Sequence, residues 1–253
     1  MAKERLNYAT QKPEALLERI ITLGSPSGSI VLDPFCGCGT TVAVAEQLKR
    51  RWIGIDITYL AIALIQTRLK DSLQEELSPY DVIGEPKDLS SAKALAEETD
   101  KLRSQFEYWA LGKVGAYPAQ DKKKGADSGV DGIIKFFDDN SGNPKKIVIQ
   151  VKSGKPQLKD IRDFIHVVDR EKAVIGAFIT LQLPTDPMRI EAVKEGFYIP
   201  EHFPQEKSPK IQILTIEDIL RGSSIQYPKQ ADATFRQAER KYKESGPKQD
   251  RLL

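Results

Sequence analysis

Two cysteines, two histidines and two methionines in 253 residues leave little soft-metal or redox chemistry to consider. Cys36 and Cys38 stand two apart, while His166 and His202 lie far downstream. That spacing does not assemble a zinc site of the usual type. Both thiols read as small turn residues, kept reduced in a cytoplasm. No apolar run approaches the ~18 residues that a membrane span needs, and the N-terminus lacks a signal-peptide core, so a cytoplasmic protein with no membrane partner is expected. Charge of one sign is also lacking: 38 Lys and Arg against 36 Asp and Glu leave a net +2. Any nucleic-acid contact must therefore come from local patches. There is no internal repeat. With 40% hydrophobic and 29% charged residues, the chain is of ordinary globular type and long enough for one or two domains.

The most informative stretch is Ser29–Thr41, Ser-Ile-Val-Leu-Asp-Pro-Phe-Cys-Gly-Cys-Gly-Thr-Thr. Ile30, Val31 and Leu32 form a short apolar run of the kind found in buried parallel strands. Pro34 ends the ladder. Gly37 and Gly39 then precede a helix-like segment from Thr40. Strand, glycine turn, helix lets a ligand approach bare backbone near a helix N-terminus. A second apolar strand, Trp52–Asp56, ends in an acid 23 positions after Asp33, close to the ~20 that separate a glycine turn from a ribose-binding acid.

Asp33-Pro34-Phe35-x-Gly37-x-Gly39-Thr40-Thr41, together with Thr10-Gln11-Lys12-Pro13 upstream and Gly54-Ile55-Asp56 downstream, resembles the DNA amino-methyltransferases. These methylate adenine N6 or cytosine N4. The resemblance covers roughly residues 7–90. It implies S-adenosylmethionine as cofactor, with Asp33, Pro34, Phe35, Gly37, Gly39 and Thr40 forming the binding turn. Asp56 would hold the ribose, and Tyr8, Thr10, Gln11 and Lys12 would stand at the methionine end. In this family the catalytic Asp/Ser-Pro-Pro-Tyr motif precedes the Thr-Gln-Lys-Pro segment, and no such motif stands before it here. Ser78-Pro79-Tyr80 is a partial match on the wrong side of the order, and reads as a turn. The chain thus resembles the cofactor half of such an enzyme without its catalytic half.

Along the chain, Pro13 opens a helix with the apolar stripe Leu16, Leu17, Ile20 and Ile21. A helix over 59–76 and a short third strand, 80–84, complete a βαβαβ unit, half of a doubly wound sheet. A helical stretch follows over 89–112. Two strands, 133–137 and 146–152, about a turn rich in Asn, Gly and Pro make a hairpin. A helix at 157–170, a strand at 173–180, a short helix at 188–194, a strand at 211–215 and a helix capped by Thr215 complete a mixed α/β core. The expected fold is α/β: a partial doubly wound, Rossmann-like methyltransferase sheet over 1–90, then a restriction-endonuclease-like domain over 91–226. A polar tail, 227–253, ends the chain.

In the second part, Asp131 heads one hairpin strand, and Gln150 and Lys152, two apart on the other, point to one face. Glu107 lies on the preceding helix. Phosphodiester hydrolysis needs a divalent ion held by hard oxygens and a group that activates water. Asp131, Gln150 and Glu107 would be the Mg²⁺ ligands, and Lys152 would stabilise the attacking hydroxide or the phosphorane charge. With Phe106-Glu107 and the run Asp127–Gly132, this pattern resembles the PD-(D/E)xK nucleases of Mrr-like type over roughly 100–222. Gln150 stands where the fuller pattern has a carboxylate, which weakens metal binding. Lys122, Lys123 and Lys124 offer contacts to phosphates.

The expectation is a site-specific DNA methyltransferase fragment joined to a Mg²⁺-dependent endonuclease, in a restriction–modification role on double-stranded DNA. The alternative is a non-catalytic DNA-binding module with two degenerate enzyme folds. A strand at 29–33 without its neighbour would leave an open sheet edge. That edge would be covered by the missing methyltransferase half or by self-association.

Overall fold

The structure, a computed structural model, describes residues 8, 10–73, 76–97, 100–119, 129–138, 143–201 and 203–228. Helix α1 (Glu14–Gly24) begins directly after Pro13, whose φ of −63° is pre-set for helix entry. Strand β1 (Ile30–Asp33), helix α2 (Thr40–Gln47), strand β2 (Arg51–Gly54) and helix α3 (Tyr59–Leu73) follow as the sequence predicts. β1 and β2 pair in parallel, from Ile30 opposite Arg51 to Asp33 opposite Gly54. Side chains alternate between the two faces of a strand. Val31 and Trp52 turn toward Ile21, Val44 and Ala45 of α1 and α2. Ile30, Leu32, Ile53 and Ile55 turn the other way and remain 50–58% exposed. Only part of the α1 stripe is covered: Ile21 is buried, whereas Leu16 and Ile20 are exposed.

The third strand expected at 80–84 does not form, so among the described residues this sheet has two strands. The backbone there is tied elsewhere. The Ser78 amide donates to Glu46 Oε1 at 2.8 Å, and the Tyr80 ring lies 5.7 Å from that of Trp52. Ile83, which a paired strand would cover, is 91% exposed.

The C-terminal body opens with α4 (Leu89–Glu97) and α5 (Asp100–Lys113), where a single helix over 89–112 was expected. Its strands are β3 (Tyr117–Pro118), β4 (Gly132–Phe136), β5 (Lys145–Lys152), β6 (Ile175–Thr180) and β9 (Ile211–Thr215), in the order β3-β4-β5-β6-β9. β3, β4 and β5 are antiparallel, which bears out the hairpin, while β5, β6 and β9 are parallel. Helices α6 (Leu158–Arg170) and α7 (Asp186–Lys194) pack on one face, and α4, α5 and α8 (Ile216–Leu220) on the other. β6 lies between the two layers and is buried at every residue, as a central strand covered on both faces must be. A small ribbon of β7 (Phe197–Tyr198) and β8 (Ser208–Pro209) completes the body. Thr215 caps α8 as expected, accepting from the Asp218 amide at 3.0 Å.

Residues 227 and 228, the first of the expected tail, are described and lie against the body. Gln212 exchanges hydrogen bonds with the Gln226 backbone at 2.7 and 2.8 Å, and Tyr227 packs against Phe136. Residues 229–253 lie outside the described residues. The N-terminal half joins the body along α3, which packs against α5. No helix among the described residues is long and apolar enough to cross a membrane.

Candidate functional site

The glycine turn is closed by Asp56. Its Oδ2 accepts the Gly37 amide at 3.0 Å, and its Oδ1 accepts the Thr58 amide at 3.0 Å and the Thr58 hydroxyl at 2.8 Å. The strand ends are laced beneath it, with Ile55 N donating to Asp33 O and Cys36 N to Ile55 O. Asp33 Oδ1 accepts the Phe35 amide at 3.1 Å, which shapes the Asp-Pro turn. Gly37 and Gly39 both have positive φ. At Gly39 a Cβ would stand 2.5 Å from the Ile65 side chain of α3, so conformation and space both require glycine.

Tyr8 lies against this turn: a Cβ on Gly37 would be 3.0 Å from its ring. Burial pushes the Tyr8 hydroxyl pKa up, with the Asp56 charge adding to it. The Gln11 amide donates to Tyr8 O at 3.1 Å, and Thr10 and Lys12 are exposed beside it. Both thiols are free and buried. Burial, then the charges of Asp56 and Asp33, push the Cys36 thiol up to about 11. It is a neutral packing residue there.

Two residues that sequence reasoning missed hold this site. Arg68, on α3, is 4% exposed and donates to Thr40 Oγ1 at 2.8 Å. The signal was available: Ala61, Leu64, Ile65 and Arg68 fall at helical core spacing, so the cation occupies an apolar position. Buried Glu46 joins α2 to β2, accepting from Trp52 Nε1 at 2.8 Å as well as from Ser78. Burial acts to raise its pKa, but the bonds from Ser78 and Trp52 and the Lys49 charge outweigh it and hold the carboxyl low. Ile57, beside Asp56, is 97% exposed, and Phe35 is 89% exposed. The turn thus presents bare backbone, an acid with spare acceptor capacity and open apolar side chains. That set of groups has the chemistry to take a nucleoside.

The second constellation is arranged differently from expectation. Asp131 precedes β4 and directs Oδ2 to the Val151 amide at 2.8 Å, adding a side-chain rung to the ladder. Lys152 Nζ pairs with Asp160 Oδ1 at 3.1 Å. Asp160 also caps α6, where its Oδ2 accepts the Gln157 amide at 2.8 Å. Gln150 lies beside these on β5, and Glu107 is half-buried on α5. Asp160 went unrecognised because a Gln N-cap is not the usual Ser, Thr or Asp. Among the described residues no group of three His, Cys, Asp or Glu side chains could hold a metal ion. The Mg²⁺ expected at Asp131, Gln150 and Glu107 gains no support here: Asp131 Oδ2 is engaged by the Val151 amide, and Gln150 brings a neutral amide in place of a carboxylate. Lys122, Lys123 and Lys124, like Asp127 and Ser128, lie outside the described residues.

Residues 1–66 match the family model described as DNA methylase, of N6/N4 type. The N-terminal part is methyltransferase-like. Over 95 residues the chain is 45% identical to Type II methyltransferase M.HpaI of Haemophilus parainfluenzae, covering 35% of this chain and 28% of that protein. It is 57% identical over 58 residues to Type II methyltransferase M2.DpnII of Streptococcus pneumoniae, covering 22% of each. It is 61% identical over 51 residues to DNA adenine methyltransferase YhdJ of Escherichia coli (strain K12), covering 20% of this chain and 17% of the relative. The chain therefore spans only a minor part of these relatives. Residues 102–220 match the model described as NACHT-associated inactive Restriction Endonuclease 1. That description agrees with the Lys152–Asp160 pair. No solved structure matches the chain.

Proposed function

We propose that the chain is the cofactor-binding part of an S-adenosylmethionine-dependent DNA amino-methyltransferase, joined to a nuclease-like module that does not hydrolyse DNA. The observation that carries this reading is the glycine turn closed by Asp56 with Tyr8 against Gly37. Tyr8, Thr10, Gln11, Lys12, Asp33, Pro34, Phe35, Gly37, Gly39, Thr40 and Asp56 would line the cofactor site. The cofactor would supply the methyl group, and these residues bind and orient it. The target would be adenine N6 or cytosine N4 of double-stranded DNA, in a restriction–modification setting. We assign 1–90 to the methyltransferase part and 91–228 to the nuclease-like module.

Base methylation needs a flipped nucleotide held beside the cofactor, and this chain shows no Asp/Ser-Pro-Pro-Tyr motif to hold one. The exposed sheet face of Ile30, Leu32, Ile53 and Ile55, with the open edge of β1, is where the remaining methyltransferase strands would seat. The second part is read as binding without hydrolysis, because Lys152 pairs with Asp160 and the matching family model is described as inactive. Isothermal titration with S-adenosylmethionine tests the reading: saturable uptake at one site is expected, and no heat of binding with folded protein overturns it.

A further inference from the structure

α3 faces two ways. Toward the turn, Ile65 fills the space that a Cβ on Gly39 would need, and Arg68 donates to Thr40, the first residue of α2. With no slack at Gly39, a shift of α3 must move the turn. Toward the nuclease-like body, a Cβ on Gly112 of α5 would stand 3.1 Å from Ala63, so the two helices meet at close range. The Tyr59 amide donates to Gln105 Oε1 at 2.7 Å, and the Tyr117 hydroxyl donates to the Asp71 carboxylate. Tyr117 belongs to β3, whose next residue but one, Ala119, donates its amide to Asp131 O at 2.8 Å. The Arg68 charge also acts on the Tyr117 hydroxyl, against the larger push of burial and Asp71. A buried guanidinium at an apolar helix position is costly to desolvate unless its donors are used. Leucine would pack there; arginine adds direction.

We propose that Arg68 is a positioning residue for the cofactor turn, and that the nuclease-like body buttresses it through α5 and Tyr117. A nuclease fold without hydrolysis thereby contributes to cofactor affinity. The inference rests on the reading of the turn as an S-adenosylmethionine site.

The test uses the full chain with four variants: Arg68→Met, Arg68→Lys, Tyr117→Phe and Lys113→Ala. Lys113 pairs with Glu85 at the same seam and serves as control. Two quantities are measured: amide hydrogen exchange over residues 37–42 without ligand, and the dissociation constant for S-adenosylmethionine. Arg68→Met should speed exchange and weaken binding by about tenfold or more, as loss of a charged hydrogen bond implies, with Arg68→Lys recovering most of it. Tyr117→Phe, which removes the hydroxyl that holds Asp71, should weaken binding by roughly threefold and speed the same exchange. Lys113→Ala should change neither. Unchanged exchange in Tyr117→Phe overturns the proposal, and so does an equal effect of Lys113→Ala, which would mark general loosening of the seam. If Arg68→Met fails to fold, Arg68→Lys and Tyr117→Phe decide. Wild type that takes up no cofactor refutes the cofactor reading, while the exchange measurement still decides the buttress.

Discussion

Replacing Asp56 by asparagine separates its two roles. In the wild type one carboxylate oxygen holds the Gly37 amide at 3.0 Å and the other holds Thr58. In Asp56→Asn the amide oxygen keeps Thr58, and the NH₂ group then faces the Gly37 N–H, donor against donor. The turn loses a charged hydrogen bond, a cost of about 1.5–3 kcal/mol. If cofactor binding requires the closed turn, that cost passes into the dissociation constant as a rise of about 10- to 150-fold. Asp56→Ala removes all three bonds and the acceptor for a ribose hydroxyl, so it should be weaker still. Calorimetric titration of wild type, Asp56→Asn and Asp56→Ala gives the ladder, with circular dichroism to show that each is folded. An unchanged dissociation constant for Asp56→Ala would refute the reasoning and leave Asp56 a strand-end residue.

Four further outcomes are expected. Asp33→Ala, which frees the Phe35 amide, should also weaken cofactor binding, by less than Asp56→Ala in the same titration. The folded-state pKa of Glu46 is depressed, so its contribution to stability is present above the unfolded value of about 4.3 and is lost as pH falls through the folded value. The difference in urea midpoint between wild type and Glu46→Gln should accordingly be present at pH 7 and shrink as pH falls below the unfolded value; a pH-independent difference contradicts it. Purified chain should nick no plasmid with Mg²⁺ or Mn²⁺, and cleavage abolished by Asp131→Ala would restore the hydrolytic reading. Finally, the bare face should drive association. Light scattering should show self-association that Leu32→Lys with Ile53→Lys removes, whereas a concentration-independent monomer of 28.3 kDa counts against it.

What could be read from the sequence was what local rules decide. The strand–turn–helix around Asp33 and Gly39, the hairpin of β4 and β5, and the Thr215 cap each follow from neighbours in the chain, and each is found. The third strand was misjudged because Tyr80-Asp-Val-Ile-Gly84 has strand composition but no strand to pair with, and Glu46, 32 residues earlier, claims the Ser78 amide. The stretch between α4 and α5 carries no proline or glycine, so the sequence does not announce two helices rather than one. At the candidate sites the residue types were legible while their partners were not. Lys152 and Asp131 carry the right chemistry, yet Asp160 and the Val151 amide occupy them. Arg68 went unremarked because its partner, Thr40, lies 28 residues earlier in the chain.

The close approach of Gly112 to Ala63 bears on how such chains are assembled in evolution. Family boundaries at residues 66 and 102 suggest a join in the stretch between them. The physical seam lies elsewhere, between a helix of one part and a helix of the other. A different module grafted there would meet α3 with whatever residue stands at the notch, and a Cβ at that position would ask its neighbour to give by a few tenths of an ångström. A small residue on α5 thus eases the join of the two parts, at a point outside the stretch where their families meet.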